Sequence, residues 1–229
     1  MASVKIATND EIKAGFIFPT LTKITGEPTY NSIKKIETQI IRNAATVECR
    51  VPQPHQSLCG LFEQPQVYIL RVGKTFPILA YPGDTPAYPN PCTPEQKQAI
   101  DTIYNLTLRY NLTCSCLDNI SKTMIENAID NKFLAGIHTE EHGFGARSTR
   151  DVLDWLYRTY GKLSPGEITK NNNDLHQPVD PTKPITTIWQ QIENCQGKAT
   201  AAGAPFTDEQ ILRAAEQLLV ATGLYNTKH

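Results

Sequence analysis

The chain has 229 residues, 40% hydrophobic and 20% charged, a balance that belongs to a globular protein rather than a disordered one. Twenty-two basic side chains meet twenty-three acidic ones for a formal charge of −1, and neither half is a basic module, so bulk charge does not hold a nucleic acid here. No stretch approaches the ~18 apolar residues of a membrane span, and the early run Ala14–Phe18 is too short for a secretory signal. The chain reads as soluble and unexported, with no membrane partner.

Residues 1–28 hold Pro19, Gly26 and Pro28 and no sustained period, which predicts an N-terminal arm. From Thr29 the pattern changes. Ile33, Ile36, Ile40 and Ala44 recur at helical spacing beside Lys34, Lys35 and Glu37, so an amphipathic helix is expected over 30–45. Residues 46–92 then contain eight of the sixteen prolines. Each proline removes a backbone donor and fixes φ, so no long helix or central strand is expected. This segment reads as an exposed, proline-stiffened excursion in which Val67–Leu70 forms one helical turn or one strand.

Thr93, Pro94 and Gln96 make a capped helix start, with Ile100, Ile103, Tyr104 and Leu108 as its apolar face to about Leu112. A second helix is expected near 117–130, on Leu117, Ile120, Met124 and Ala128, and a short turn after it. Residues 138–147 are polar and glycine-punctuated, the pattern of a linker. Four helices are expected beyond it. They are one capped at Ser148 or Thr149 and closed by Gly161, one from Ser164, one after Pro181 and Pro184 with the stripe Ile185, Ile188, Ile192 and Cys195, and one behind the capping box at Thr207. The fold class is all-α.

The six cysteines, Cys49, Cys59, Cys92, Cys114, Cys116 and Cys195, are at ordinary density and are expected reduced in a chain without an export signal. Three Asn-x-Ser/Thr sequons, at Asn105, Asn111 and Asn119, fall in a segment expected to be helical rather than in an acceptor loop. The sharpest enzymatic string is His138-Thr139-Glu140-Glu141-His142, which satisfies the inverted zinc-peptidase pattern. That chemistry needs both histidines on one helical face, and Gly143-Phe144-Gly145 follows at once. No phosphate loop, nucleophile elbow or paired Cys-x-x-Cys is present. No catalytic residue, metal site or cofactor is assigned, and a binding or assembly protein is favoured over an enzyme. Trp155, Tyr157 and Tyr160 on one helix and Trp189 on another are expected in the bundle core, while Trp155 and Trp189, at the edges of their stripes, are placed where interface anchors are found.

An ordered set of segments carries a resemblance. Leu153, Leu156, Tyr160 and Gly161 form an L-x-x-L-x-x-x-Y-G helix. Ser164-Pro165-Gly166-Glu167, Asp180-Pro181-Thr182-Lys183-Pro184, Trp189-Gln190-Gln191-Ile192-Glu193 and Ala204-Pro205-Phe206-Thr207-Asp208 follow in turn, and Leu218–Tyr225 closes the set. Together with Pro28-Thr29-Tyr30-Asn31-Ser32-Ile33 and the proline-rich excursion, the chain resembles Gag proteins of copia-type LTR retrotransposons of the diatom and algal kind. The resemblance covers about 28–225 and is strongest over 148–225. It implies a capsid protein with an N-terminal helical domain over 29–137, a linker over 138–147 and a C-terminal four-helix domain over 148–229. Copies of such a protein assemble with one another into a hexamer- and pentamer-type shell around the element's RNA, in cytoplasmic virus-like particles. The RNA contact is expected from a region downstream of this chain, and the intersubunit contact from Trp155, Tyr157, Trp189 and Ile192. Two alternatives stand beside this reading. One is a host-domesticated Gag-derived binding or carrier protein, and the other is a small zinc hydrolase using His138, Glu141 and His142.

Overall fold

The structure, a computed structural model, describes residues 8–49 and 56–223. The first residues of the expected arm, part of the proline-rich excursion and the close at 224–229 lie outside that range. The described chain is all-α apart from one two-stranded antiparallel ladder, β1 (Glu48–Cys49) and β2 (Gln56–Ser57). The helices are α1 (Asn9–Ala14), α2 (Tyr30–Ala45), α3 (Pro65–Val72), α4 (Pro94–Ala128), α5 (Thr149–Tyr160), α6 (Pro165–Leu175), α7 (Thr186–Ala201) and α8 (Asp208–Ala221). None is long and apolar enough to cross a membrane among the described residues.

Two compact units divide the chain. One holds the residues up to Pro28 with Ser32–Trp155, the other Thr29–Asn31 with the residues from Leu156 onward. The division falls inside α5, not at the segment 138–147 expected as a linker. That segment belongs to the first unit because its residues grip α4 and one another. Phe144 is buried, Arg147 Nη1 donates to Ile137 O at 3.0 Å, and Lys122 Nζ donates to Arg147 O at 3.2 Å.

In the first unit, α2 buries Ile33, Ile36, Ile40 and Ala44, the stripe expected from its period. The lead-in is not a detached arm. It carries α1 behind a Thr8–Glu11 capping box and buries Ile12, Phe16, Leu21 and Ile24. Two buried amides one turn apart on α2 dock it. Asn43 exchanges two hydrogen bonds of 2.8 Å with the backbone of Phe18, and Gln39 exchanges two of 2.9 Å with the Thr22 amide and hydroxyl. A buried amide side chain is tolerated when its donors and acceptors are matched, and here Phe18 and Thr22 supply the matches.

The helices expected at 93–112 and 117–130 are one helix of 35 residues. No glycine or proline follows Pro94 within it. The polar residues near its middle bond into the helix itself, Thr113 Oγ1 to Arg109 O and Ser121 Oγ to Leu117 O, both at 2.8 Å. Val67–Leu70 is helical within α3, which starts at Pro65 and is closed by Gly73 at φ +76°, a conformation that glycine adopts without strain.

An ionic cluster joins α2, α5 and the turn before α3. Arg150 Nη1 bonds Glu37 Oε1 at 2.6 Å and Phe62 O at 2.9 Å, Nη2 bonds Asp154 Oδ1 at 2.7 Å, and Lys34 reaches Glu37 at 2.8 Å. Burial pushes the Glu37 carboxyl up, but Lys34 and Arg150 outweigh it and leave it below the ordinary glutamate value.

In the second unit, Leu175, Ile188, Ile192, Cys195, Ala214, Ala215 and Leu218 form one core cluster. Asn171 Nδ2 ties α6 to α7 through Cys195 O at 2.8 Å. Capping boxes at Ser164 and Thr207 start α6 and α8, as the sequence predicts.

Candidate self-association surface

The proline-rich excursion is a strap laid along the first half of α4 in the opposite direction. Side chains of α4 hold its backbone. Tyr110 Oη donates to Pro77 O at 2.5 Å, Asn111 Nδ2 to Leu79 O at 3.2 Å and Tyr104 Oη to Gly83 O at 2.9 Å. Further along, Tyr88 Oη donates to Asp101 Oδ1 at 2.5 Å, and Lys97 Nζ sits 5.3 Å from the Tyr88 ring centroid. The hydrogen bond to Asp101 holds the Tyr88 phenol up at about 12. Prolines that cannot donate still offer carbonyls, so a chain unfit for a sheet is pinned by donors on a helix.

The strap leaves much apolar surface open. Leu70 on α3 is 86% exposed and Ile78 on the strap 82%, while Val67, Ile69 and Val72 on α3 are also exposed. Ile103 on α4 is 66% exposed and Leu106 38%. Residues 94–109 of α4 contain no buried residue, whereas burial begins at Tyr110. At 1.5 Å per residue that bare half is about 24 Å long. Beneath α3 the packing is tight. Tyr68 meets Phe76 edge to face at 5.4 Å, and a Cβ on Gly60 would collide with both rings.

The residues expected to make the intersubunit contact separate. Ile192 is 3% exposed within the core of the second unit, so it packs the domain instead of reaching a partner; it lies on the same stripe as Ile188 and Cys195. Trp155 is half-buried with its indole Cζ2 2.7 Å from where a Cβ on Gly136 would stand. Tyr157 is half-buried, its ring 5.5 Å from that of Tyr30. Trp189 stands 46% exposed on α7.

The His138–His142 string is a tight turn rather than a helix. Thr139 and Gly143 exchange backbone hydrogen bonds of 3.0 and 2.8 Å. His138 Nε2 lies 3.1 Å from Glu126 Oε1 and the ring packs edge-on to Phe144, while Glu141 and His142 are exposed. The two histidines therefore do not share a helical face, the arrangement the inverted zinc motif needs. Cys59, Cys92, Cys114, Cys116 and Cys195 are free thiols. In the second unit, a cleft of about 270 Å³ opens between Leu163, Ile168, Ala199 and Phe206. Asn171 lines it too, and its Oδ1 is buried without a hydrogen-bond partner.

Comparison with protein-family models, with curated proteins and with solved structures returns no match.

The apolar face expected for the first half of α4 combined Ile100, Ile103, Tyr104 and Leu108. The structure splits it. Ile100, Tyr104 and Leu108 share the strap side and are half-buried, and Ile103 faces away. The missed signal is the spacing from Ile103 through Leu106 to Tyr110, which continues in register into Thr113 and Leu117.

Proposed function

We infer that the chain is a structural protein that assembles with copies of itself into a shell, of the kind formed by the Gag capsid of copia-type LTR retrotransposons. The observation that carries this reading is the apolar surface of α3, the strap and the first half of α4. On α3 alone Val67, Ile69, Leu70 and Val72 are exposed together, and exposed apolar surface grouped on one element marks an interaction site, unlike apolar residues scattered singly over a lone domain. Two helical units in one chain, with the ordered segments of the resemblance spread over both, support the same reading. So does the near-neutral charge, which suits a wall of repeated protein contacts better than a nucleic-acid grip. In a shell, each contact is small and symmetric repetition supplies the stability.

On this reading the shell encloses the element's RNA in cytoplasmic virus-like particles, and a basic segment downstream of this chain takes the RNA itself. Trp189, exposed on α7, is a further contact between copies. Light scattering and negative-stain microscopy over rising concentration and salt test the proposal. Closed particles or discrete hexamers and pentamers are expected. A monomer under every condition contradicts it.

A further inference from the structure

α4 carries one stripe of residues spaced alternately four and three apart, the seam of a helix that packs against another helix. Tyr110, Thr113, Leu117, Ile120 and Met124 are its buried part. Ala99, Ile103 and Leu106 continue it in register toward the N-terminus, and all three are exposed. The strap does not cover them. Lys97, Asp101, Tyr104 and Asn111, which hold it, lie about 80–160° around the helix from Ile103. The bare seam therefore has the geometry of a helix-packing surface with its partner missing.

The flank on the other side says which partner fits. Glu95, Thr102 and Arg109 follow at seven-residue intervals and are all exposed. Neither Glu95 nor Arg109 enters an ion pair among the described residues. In an antiparallel helix pair, equivalent flanking positions face each other across the seam. With Thr102 opposite Thr102, the Glu95 of each copy meets the Arg109 of the other, twice by symmetry. The same register sets Ile103 of each copy against Ala99 of the other. A surface whose charges complement themselves under a two-fold axis is an isologous contact.

We propose that the first half of α4, residues 94–109, pairs antiparallel with the same segment of a second copy of this chain about a two-fold axis at Thr102. This rests on the assembly reading above and gives that assembly one defined contact. The strap then stiffens the helix from behind and leaves the seam free, which explains why a 35-residue helix extends four turns past its own core.

The pairing is tested by cross-linking Thr102→Cys in a chain whose Cys49, Cys92, Cys114 and Cys116 are serine, with Asn119→Cys, exposed on the second half of α4, as the control. Mild oxidation is expected to join Thr102→Cys into dimers at least tenfold faster than Asn119→Cys. Reversal of one charge, Arg109→Glu or Glu95→Arg, is expected to weaken self-association by roughly tenfold, the sum of two lost pairs and two repulsions. The double reversal restores it. Circular dichroism confirms that each variant keeps its helix. Assemblies without accelerated Thr102→Cys cross-linking overturn the pairing and leave the assembly reading standing. Cross-linked dimers that never build larger particles uphold the pairing and overturn the shell. Monomers throughout overturn both.

Discussion

The two halves of α4 share one seam and differ in what covers it. From Tyr110 to Met124 the seam is the middle of the first unit, with Leu117 fully buried. From Ala99 to Leu106 the same seam faces solvent, with Ile103 66% exposed. Apolar residues kept in register beyond the core that needs them are costly to leave in water, at roughly 25 cal/mol per Å². The comparison teaches that the same seam is core beyond Tyr110 and solvent-facing before it, where α4 is held on another side by the strap alone.

Mutations should separate the halves, measured against a break in the ionic cluster of the first unit. Arg150→Ala leaves the buried Glu37 with Lys34 as its remaining cation and removes the donor to Phe62 O, and is expected to cost about 3–5 kcal/mol in urea unfolding. Leu117→Ala opens a cavity in the seam and should cost about 2–5 kcal/mol. Ile103→Ala, on the same stripe two turns beyond the core edge, should change the unfolding free energy of the monomer by under ~0.5 kcal/mol. Equal costs for Leu117→Ala and Ile103→Ala in dilute solution would erase the distinction.

Smaller effects sharpen the picture around the strap. Gly60→Ala forces the Tyr68 and Phe76 rings apart and is expected to cost about 1–3 kcal/mol by overpacking. Tyr110→Phe removes the hydrogen bond to Pro77 O. A loss of about 0.5–1.5 kcal/mol is expected, together with faster proteolysis within 77–88 and an unchanged helix content.

Acid provides a handle on the first unit. The folded Glu37 carboxyl titrates below 4.5, so the folded state binds its proton less readily than the unfolded state. The stability this contributes is present above pH 4.5 and is lost as pH falls through the folded value. Urea midpoints measured from pH 6 down to pH 3 should fall for the wild type. Glu37→Gln should start lower and fall less over the same range.

Much of the helical layout was legible in the sequence because its signals are local. α2 and α8 begin and end within a residue or two of their expected bounds, since stripe, cap and terminator lie in one window. The continuity of α4 was not legible. Thr113-Cys114-Ser115-Cys116 reads as a poor helix, and only the bond from the Thr113 hydroxyl to Arg109 O shows how its polarity is absorbed. The docked lead-in was hidden for a different reason. Gln39 and Asn43 look like polar faces of an amphipathic helix until the main chain of residues 18–22 is placed against them. The attachment of 138–147 to α4 was hidden the same way, because Arg147 acts through Lys122 and His138 through Glu126.

The candidate surface was legible in part. Trp189 was singled out and is exposed, but Ile192 lies in the core. The seam on α4 was invisible while the strap had no position, since periodicity alone could not say which of Ile100 and Ile103 was covered.

Amide hydrogen exchange on α4 tests the account most directly, comparing residues 99–109 with residues 113–124 at low and high protein concentration. The account predicts that raising the concentration slows exchange in the first segment by tenfold or more and leaves the second segment unchanged. A first segment that exchanges at the same rate at both concentrations, in a sample that is folded throughout, would contradict it.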